Sequence, residues 1–178
     1  MDKTEKTLRK NLIFKGRILT LYDDDVECPN GHHAKREYIH HNGGVCILPY
    51  HNGLIYFVRQ FRYPYHKELL ELPAGKIDGD ENKDHAIKRE LKEEVGLIDN
   101  NIEYIGYFYP SVGYTDEVLY LYFSENSTQG EISPDEDEFL DIVKLTPSEA
   151  YDLLDRGEIV DGKTIILLEK LRNRLIKW

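Results

Sequence analysis

Short apolar runs separated by turn-forming residues predict β-strands in the first third of the chain. Val45 to Leu48 and Leu54 to Val58 are continuous apolar runs, and Asn52-Gly53 between them favours a tight turn. In about the first forty residues, apolar and polar positions alternate, as they do in edge strands or a hairpin. Later runs predict three more strands, at about residues 102–109, 118–123 and 140–145.

The clearest helix is predicted where the apolar period changes from two to about four. Ile87, Leu91 and Val95 recur every four residues, Asn82 can cap the start, and Gly96 suits the left-handed C-terminal position. Two further helices are predicted at about residues 147–154 and 163–175. Strands and helices mixed in one chain, without an internal repeat or a linker, predict a single α/β domain built as a sandwich.

Composition narrows the classes of partner. The chain has 33 acidic against 23 basic side chains, a formal net charge of −10, so we expect no nucleic acid polymer as partner. No run of 18 apolar residues is present and the N-terminus is polar, so we expect neither a membrane partner nor export. Cys28 and Cys46 form no CxxC motif, which fits a reducing cytoplasm.

An acidic protein can still bind a small phosphorylated substrate if carboxylates hold a divalent metal. Glu90, Glu93 and Glu94 lie within about one turn of the clearest helix, on the side away from its apolar stripe. Like charges at these spacings repel on a helix, and Arg89 relieves only part of that repulsion. A magnesium site is the sharper interpretation of this cluster. A solvated acidic helix face is the alternative.

The residues before the helix decide between these interpretations. Gly75, then five residues, Glu81, then seven residues, then the run from Arg89 to Leu97 match the Nudix box at every specified position. The chain therefore resembles the Nudix hydrolases. The resemblance implies a Nudix α/β/α sandwich around a mixed β-sheet, and hydrolysis of a second group linked to a nucleoside diphosphate. It also implies that the box forms a loop-helix-loop that holds Mg²⁺, with Mn²⁺ as the alternative ion.

The resemblance assigns roles residue by residue within the box. Arg89 would orient the glutamates, and Glu93 would be a catalytic residue as well as a ligand or a support to one. Glu81 is similar to the first glutamate of the box, which assists metal binding or orients the arginine. The implied metal-binding groups are the Ala74 carbonyl and the side chains of Glu81, Glu90, Glu93 and Glu94.

A wider resemblance, from about residue 12 to residue 171, is to the ADP-ribose pyrophosphatase branch. It is carried by the segments 58–63, 71–75, 111–117 and 135–139. In that branch a loop glutamate activates water or closes on the metals, and here Glu136 aligns with it, with Glu138 as the neighbouring candidate. Without the box, both would be interpreted as part of an acidic surface loop.

The same branch implies substrate-binding residues. Arg62 is similar to an arginine that contacts the phosphates, for which its fork of donors is suited, although a surface ion pair is the alternative. Glu117 resembles a residue near the terminal ribose, or else faces solvent. Arg36 and Gly113 complete the expected substrate-binding set.

The branch also implies a domain organisation. Residues 1–43 would be an N-terminal β segment that helps to form a homodimer, whose partner chain contributes to the adenine site. Residues 44–178 would be the catalytic core. We therefore expect ADP-ribose to be cut to AMP and ribose 5-phosphate in a homodimer.

One departure bears on the substrate. The branch usually has proline in the turn after the box where this chain has Val112. The alternatives are therefore another nucleotide sugar, a dinucleotide or an oxidised nucleotide as substrate, or a non-catalytic sensor that binds ADP-ribose. The intact box glutamates count against the sensor.

Overall fold

The computed structural model describes residues 2–133 and 139–176. The strands are β1 Lys6–Arg9, β2 Leu12–Lys15, β3 Thr20–Glu27, β4 His33–His40, β5 Gly44–His51, β6 Leu54–Arg62, β7 Lys67–Glu71, β8 Ala74–Lys76, β9 Leu97–Ile98, β10 Glu103–Phe108, β11 Leu119–Ser124, β12 Thr128–Gln129 and β13 Leu140–Leu145. The α-helices are α1 Lys83–Val95, α2 Pro147–Asp155 and α3 Gly162–Leu175, and a 3-10 turn covers Tyr63–Tyr65. The strands and helices predicted from the apolar pattern are confirmed. Among the described residues, no helix is long and apolar enough to cross a membrane.

The chain divides into two compact units, and the first is an antiparallel sheet. It contains the residues up to Gly43 together with Tyr109–Val118. Strand β3 is its centre, because β1 and β2 pair with one edge of β3 and β4 pairs with it along eight residues. Within this unit the segment Tyr109–Val118 is tied to the end of β4, where the Ile39 amide donates to the Tyr114 carbonyl at 2.8 Å.

The second unit, Gly44–Phe108 and Leu119 onward, holds a seven-stranded mixed sheet. Its path runs β10-β11-β5-β6-β13, with β7 paired to β6 and β8 paired to β5. β11 and β5 are parallel, and the other pairs of this sheet are antiparallel. The turn between β5 and β6 uses positive φ at both Asn52 and Gly53, as the tight hairpin predicted there requires.

Alternation along β5 creates two hydrophobic layers. Val45 and Ile47 face a cluster that includes α1, whereas Cys46 and Leu48 face a cluster that includes α2 and α3. Successive strand residues point to opposite faces, so one continuous apolar run can serve both clusters. The α/β/α sandwich predicted for the core is confirmed.

The caps of α1 fix both its ends. The Asn82 side chain accepts a hydrogen bond from the Asp84 amide, and Gly96 closes the helix with φ 65°. A side chain at position 96 would be strained by this φ and would also meet the Ile132 side chain at 2.7 Å. The helix start and end predicted from the sequence are confirmed.

Candidate active site

Two of the three clustered glutamates of α1, Glu90 and Glu94, belong to its buried face, so the prediction that they lie away from the apolar side of the helix is wrong. Ala86, Glu90 and Glu94 form a row at four-residue spacing beside the apolar row that ends at Val95. Glu90 is 5% exposed and Glu94 is 2% exposed. A helix packed on a sheet buries a face wider than one row, and here two carboxylates take positions that apolar residues would otherwise fill. The solvated acidic face is therefore not the arrangement of these two residues.

Glycine at position 75 makes room for one of these carboxylates. A Cβ atom at Gly75 would lie 1.8 Å from Glu90 Oε1, well inside van der Waals contact. Gly75 sits in β8, which pairs with β5 on the sheet beneath α1. Because glycine has no side chain, the Glu90 carboxylate can pack directly against the backbone at position 75. Any larger residue would displace Glu90.

Glu94 is tied to the backbone next to that glycine. The Ala74 amide donates to Glu94 Oε2 at 2.9 Å, and the preceding Pro73 carbonyl accepts from the Ile47 amide at 3.0 Å. The strand-to-helix loop therefore begins on a backbone segment that is fixed to both the sheet and the helix. Ala74, whose carbonyl is an expected metal ligand, lies in this segment.

Arg89 forms hydrogen bonds with three carboxylates of the loop and the helix. Its guanidinium donates to Glu90 at 2.8 Å, to Glu93 at 2.9 Å and to Glu81 at 3.1 and 3.3 Å. It also reaches the Lys76 carbonyl at 3.3 Å, so it joins both ends of the loop to the helix. Hydrogen bonds to Glu81 and Glu93, together with the charge of Glu90, raise the pKa of Arg89. The Arg89 hydrogen bond in turn lowers the pKa of Glu81.

The donor chemistry of this cluster fits a hard divalent cation. Four carboxylates, those of Glu81, Glu90, Glu93 and Glu94, accompany a single guanidinium, so the five side chains carry a net charge of −3 when ionised. Oxygen ligands of this kind are those that Mg²⁺ and Mn²⁺ bind. Across residues 2–133 and 139–176, no three acidic, histidine or cysteine side chains are already arranged around one point as metal ligands. Arg89 and the Ala74 amide hold the carboxylates instead.

A second polar cluster lies where β7 leads into this loop. Arg62 Nε and Nη2 donate to the two oxygens of Glu71 at 2.7 and 2.8 Å, and Lys163 forms an ion pair with the same carboxylate. Glu71 is 2% exposed, whereas the Arg62 side chain is 36% exposed. Burial opposes the charge of Glu71, but its bonds to Arg62 and Lys163 lower its pKa overall. The sequence pointed to Arg62 but not to its partner Glu71 or to Lys163, which pairs with the same carboxylate.

Three expected substrate-binding residues belong to the other unit. Arg36 Nε donates a hydrogen bond to Glu5 Oε2 at 2.8 Å, and Arg36 Nη1 donates to the Lys35 carbonyl. Glu117 lies 3.5 Å from the His41 ring, and its amide donates to the Thr115 hydroxyl. Gly113 lies in the turn after Ser111, and a Cβ atom added there would meet nothing within 4 Å.

Val112, the residue that departs from the branch pattern, is 82% exposed in the same turn. Glu136 and Glu138, the two expected bases, lie outside the described residues.

Comparisons with known proteins agree with this fold. The NUDIX domain model matches residues 40–168, and the model for the nucleoside diphosphate sugar hydrolase N-terminal domain matches residues 5–39. The chain is 36% identical to an ADP-ribose pyrophosphatase of Bacillus subtilis and 38% identical to a methanol dehydrogenase activator of Bacillus methanolicus. Each alignment spans 171 residues, 94% of this chain and 92% of the relative.

The chain is also similar, at lower identity, to a GDP-mannose pyrophosphatase and to a solved structure. A GDP-mannose pyrophosphatase of Yersinia enterocolitica is 31% identical over 92% of this chain and 93% of its own. A crystal structure of an ADP compounds hydrolase superposes with a TM-score of 0.86 at 23% identity, over 97% of this chain and 95% of that chain. At that identity the superposition establishes the fold.

Proposed function

This chain belongs to the Nudix hydrolase family, and on that premise we propose that it hydrolyses ADP-ribose to AMP and ribose 5-phosphate with Mg²⁺. Water adds to one phosphorus, the bond from that phosphorus to the bridging oxygen breaks, and each product keeps one phosphate. The observation that carries the proposal is the packing of Glu90 and Glu94 against Gly75 and Ala74. It brings two buried carboxylates to the start of the loop-helix segment, and a cation held by such carboxylates would offset the charge of a pyrophosphate.

The residues that would hold the cation are Glu90, Glu94 and the Ala74 carbonyl, with Glu93 and Glu81 as further ligands or supports. A bound divalent cation would neutralise charge on the pyrophosphate and lower the pKa of a coordinated water. Arg89 would keep the carboxylates in register, since it already bonds to Glu81, Glu90 and Glu93. Mn²⁺ is the alternative ion.

The proton of the attacking water needs a base. We assign it to Glu136, with Glu138 beside it in the sequence, on the resemblance to the branch alone. Arg62 is the proposed phosphate contact in the core, because its partly exposed guanidinium has donors beyond those that bind Glu71. Arg36, Gly113 and Glu117 remain proposed substrate residues of the first unit.

We also propose a homodimer in which residues 1–43 form the interface and the partner chain completes the adenine site. All residues of β1 and β2 are exposed, and they include large apolar side chains. These exposed apolar residues are Leu8, Leu12, Ile13 and Phe14, followed by Ile18 and Leu19 in the connection to β3. Exposed large apolar side chains concentrated in one short segment indicate an interaction site. The cytoplasmic location expected from the cysteines stays a prediction.

A nucleotide sugar is the second candidate substrate. Two observations favour it: the N-terminal match to a nucleoside diphosphate sugar hydrolase model and the similarity to a GDP-mannose pyrophosphatase. Val112 in place of the proline usual in the ADP-ribose branch also weakens the assignment to ADP-ribose. The reaction at the pyrophosphate would be the same, and only the group beyond it would differ.

The test is to incubate the purified protein with Mg²⁺ and ADP-ribose, and in parallel with GDP-mannose, and to separate the products by chromatography. We expect AMP and ribose 5-phosphate from wild type. Glu94→Gln should remove nearly all turnover, because the amide can still accept from the Ala74 amide but carries no charge for the cation. Glu158→Gln is the matched control, since Glu158 is exposed and pairs only with Arg156 among the described ion pairs.

Full activity of Glu94→Gln would contradict the metal assignment. Turnover of GDP-mannose with little of ADP-ribose would establish the second candidate. If wild type cuts neither compound but binds ADP-ribose, the sensor alternative becomes the better account of the chain.

A further inference from the structure

The cluster around Glu71 extends into the first turn of α3. Asp161, the cap residue of that helix, accepts from the Thr164 amide and hydroxyl through Oδ2, at 3.0 and 2.6 Å. Its other oxygen, Oδ1, pairs with Lys163 at 3.0 Å. Lys163 therefore stands between two carboxylates, those of Asp161 and Glu71, and its side chain is only 12% exposed.

The same helix turn also holds the backbone that follows Glu71. The Thr164 hydroxyl accepts from the Leu72 amide at 2.8 Å. Two residues further on, the Ala74 amide donates to Glu94. One helical turn therefore fixes both the carboxylate that orients Arg62 and the backbone that leads to the glutamates of α1.

The charges of this cluster balance. Arg62 and Lys163 carry two positive charges, and Glu71 and Asp161 carry two negative charges, so the four side chains sum to zero. Removing the charge of Lys163 would leave the cluster, Arg62 included, with a net charge of −1. Poorly hydrated charges act strongly on one another, so the change would be felt by an anionic ligand at that guanidinium.

We propose that Lys163 is a positioning residue, which acts through Glu71 to hold Arg62 and sets the charge behind it for binding of the substrate pyrophosphate. This inference rests on the proposed function, because it takes Arg62 as a phosphate contact. Asp161 contributes a negative charge to the same cluster and so opposes the positive charge of Lys163. The two residues therefore have opposite effects on substrate affinity, although both are partly buried members of one cluster.

The experiment measures KM and kcat for the pyrophosphate substrate in Lys163→Met and Asp161→Asn. Lys163→Met should raise KM about tenfold, since it leaves the excess negative charge, with a smaller effect on kcat. Asp161→Asn should lower KM, because asparagine keeps the helix cap and removes one negative charge. A purely structural role would move KM in the same direction in both variants.

Arg172→Met is the matched control. Arg172 also lies on α3 and also bridges two carboxylates, but these belong to Asp155 and Glu169. Its loss changes the net charge by the same amount as Lys163→Met and removes no contact to Glu71. KM of this variant should stay within about twofold of wild type, since exposed ion pairs contribute little.

A second measurement needs neither metal nor substrate. The Arg62 Nε–H signal in the ¹⁵N NMR spectrum, assigned by its loss in Arg62→Lys, reports the hydrogen bond to Glu71. Lys163→Met should shift this signal and speed its exchange with water, and Arg172→Met should do neither.

The outcomes separate this inference from the proposed function. Failure of wild type to cut ADP-ribose bears on the proposed function, and the kinetic comparison then uses whichever nucleoside diphosphate derivative is cut. An Arg62 signal that is unchanged in Lys163→Met would overturn the positioning role. KM values that rise together in Lys163→Met and Asp161→Asn would overturn the charge role.

Discussion

At the scale of single residues, Gly75 carries the most specific steric requirement of the site. We predict that Gly75→Ala displaces Glu90, because the added Cβ would lie 1.8 Å from its carboxylate oxygen. Activity should fall at least about a hundredfold, a loss typical when a catalytic group is moved by about 1 Å. The measurement is kcat/KM across a Mg²⁺ titration, with circular dichroism to show that the fold is kept.

Gly162→Ala is the control for that prediction, because a Cβ there meets nothing within 4 Å and Gly162 has no positive φ. The control should retain full activity. Wild-type activity in Gly75→Ala would show that Glu90 can move without consequence, and would remove it from the metal site.

Residue spacing predicted part of this arrangement. The distances in sequence from Gly75 to Glu81 and to Arg89 identified the box, and the period of Ile87 and Leu91 placed the helix. The burial of Glu90 and Glu94 could not be seen in the same way, because periodicity locates the apolar row and these residues lie beside it. Ala86, at the head of their row, was the available signal, since a small apolar residue there widens the buried face.

At the scale of elements, the tie between β7 and α3 joins residues 92 positions apart. We predict that Glu71→Gln destabilises the protein near neutral pH by about 3–5 kcal/mol, the typical cost of breaking a buried ion pair. Arg62 and Lys163 lower the pKa of Glu71 against the effect of burial. Its charged form therefore stabilises the fold above its ordinary pKa, and that contribution disappears as the pH falls through the lowered value.

Urea unfolding at several pH values checks this sign. The difference in unfolding free energy between wild type and Glu71→Gln should be largest above about pH 5 and should shrink towards about pH 3. Glu158→Gln, on an exposed pair, should match wild type throughout. A difference that grows on acidification would mean that the carboxylate is held in its neutral form.

The elements themselves were predictable where the pattern is local. Asn82 and Gly96 mark the ends of α1, and the Asn52-Gly53 turn marks the hairpin of β5 and β6. The contacts of Lys163 were not predictable, because nothing in the run from Asp161 to Thr164 shows which distant strand the helix will meet. Contacts between residues so far apart in sequence become visible only in the folded structure.

At the scale of the whole molecule, the net charge of −10 and the carboxylate cluster should affect the melting temperature in ways that added salts can separate. We predict that Mg²⁺ raises the melting temperature, because an ion that binds only the folded state stabilises it by about 2.7 kcal/mol at a hundred times its Kd. NaCl at matched ionic strength screens the general charge and should give a smaller rise. Glu94→Gln should lose the Mg²⁺-specific part, and an equal response in wild type and variant would place the ion elsewhere.

The oligomeric state is the property of the whole molecule on which the proposed adenine site depends. We predict that wild type has twice the 20.9 kDa chain mass by light scattering, and that Phe14→Glu has the mass of one chain. Phe14 is 56% exposed in a strand whose residues are all exposed, so burying a charge in an interface there would be unfavourable. Tyr107→Glu introduces the same charge at a residue of similar exposure, 53%, on the core sheet, and should leave the dimer intact.

Activity then distinguishes a dimer that serves catalysis from one that serves stability alone. If the partner chain completes the adenine site, the Phe14→Glu monomer should show a raised KM for ADP-ribose while its core keeps Glu90, Glu94 and Arg89 in place. A monomeric variant with wild-type KM would show that one chain binds the substrate by itself. If wild type has the mass of a single chain, the proposed dimer is wrong. The exposed apolar side chains of β2 would then need another partner to cover them.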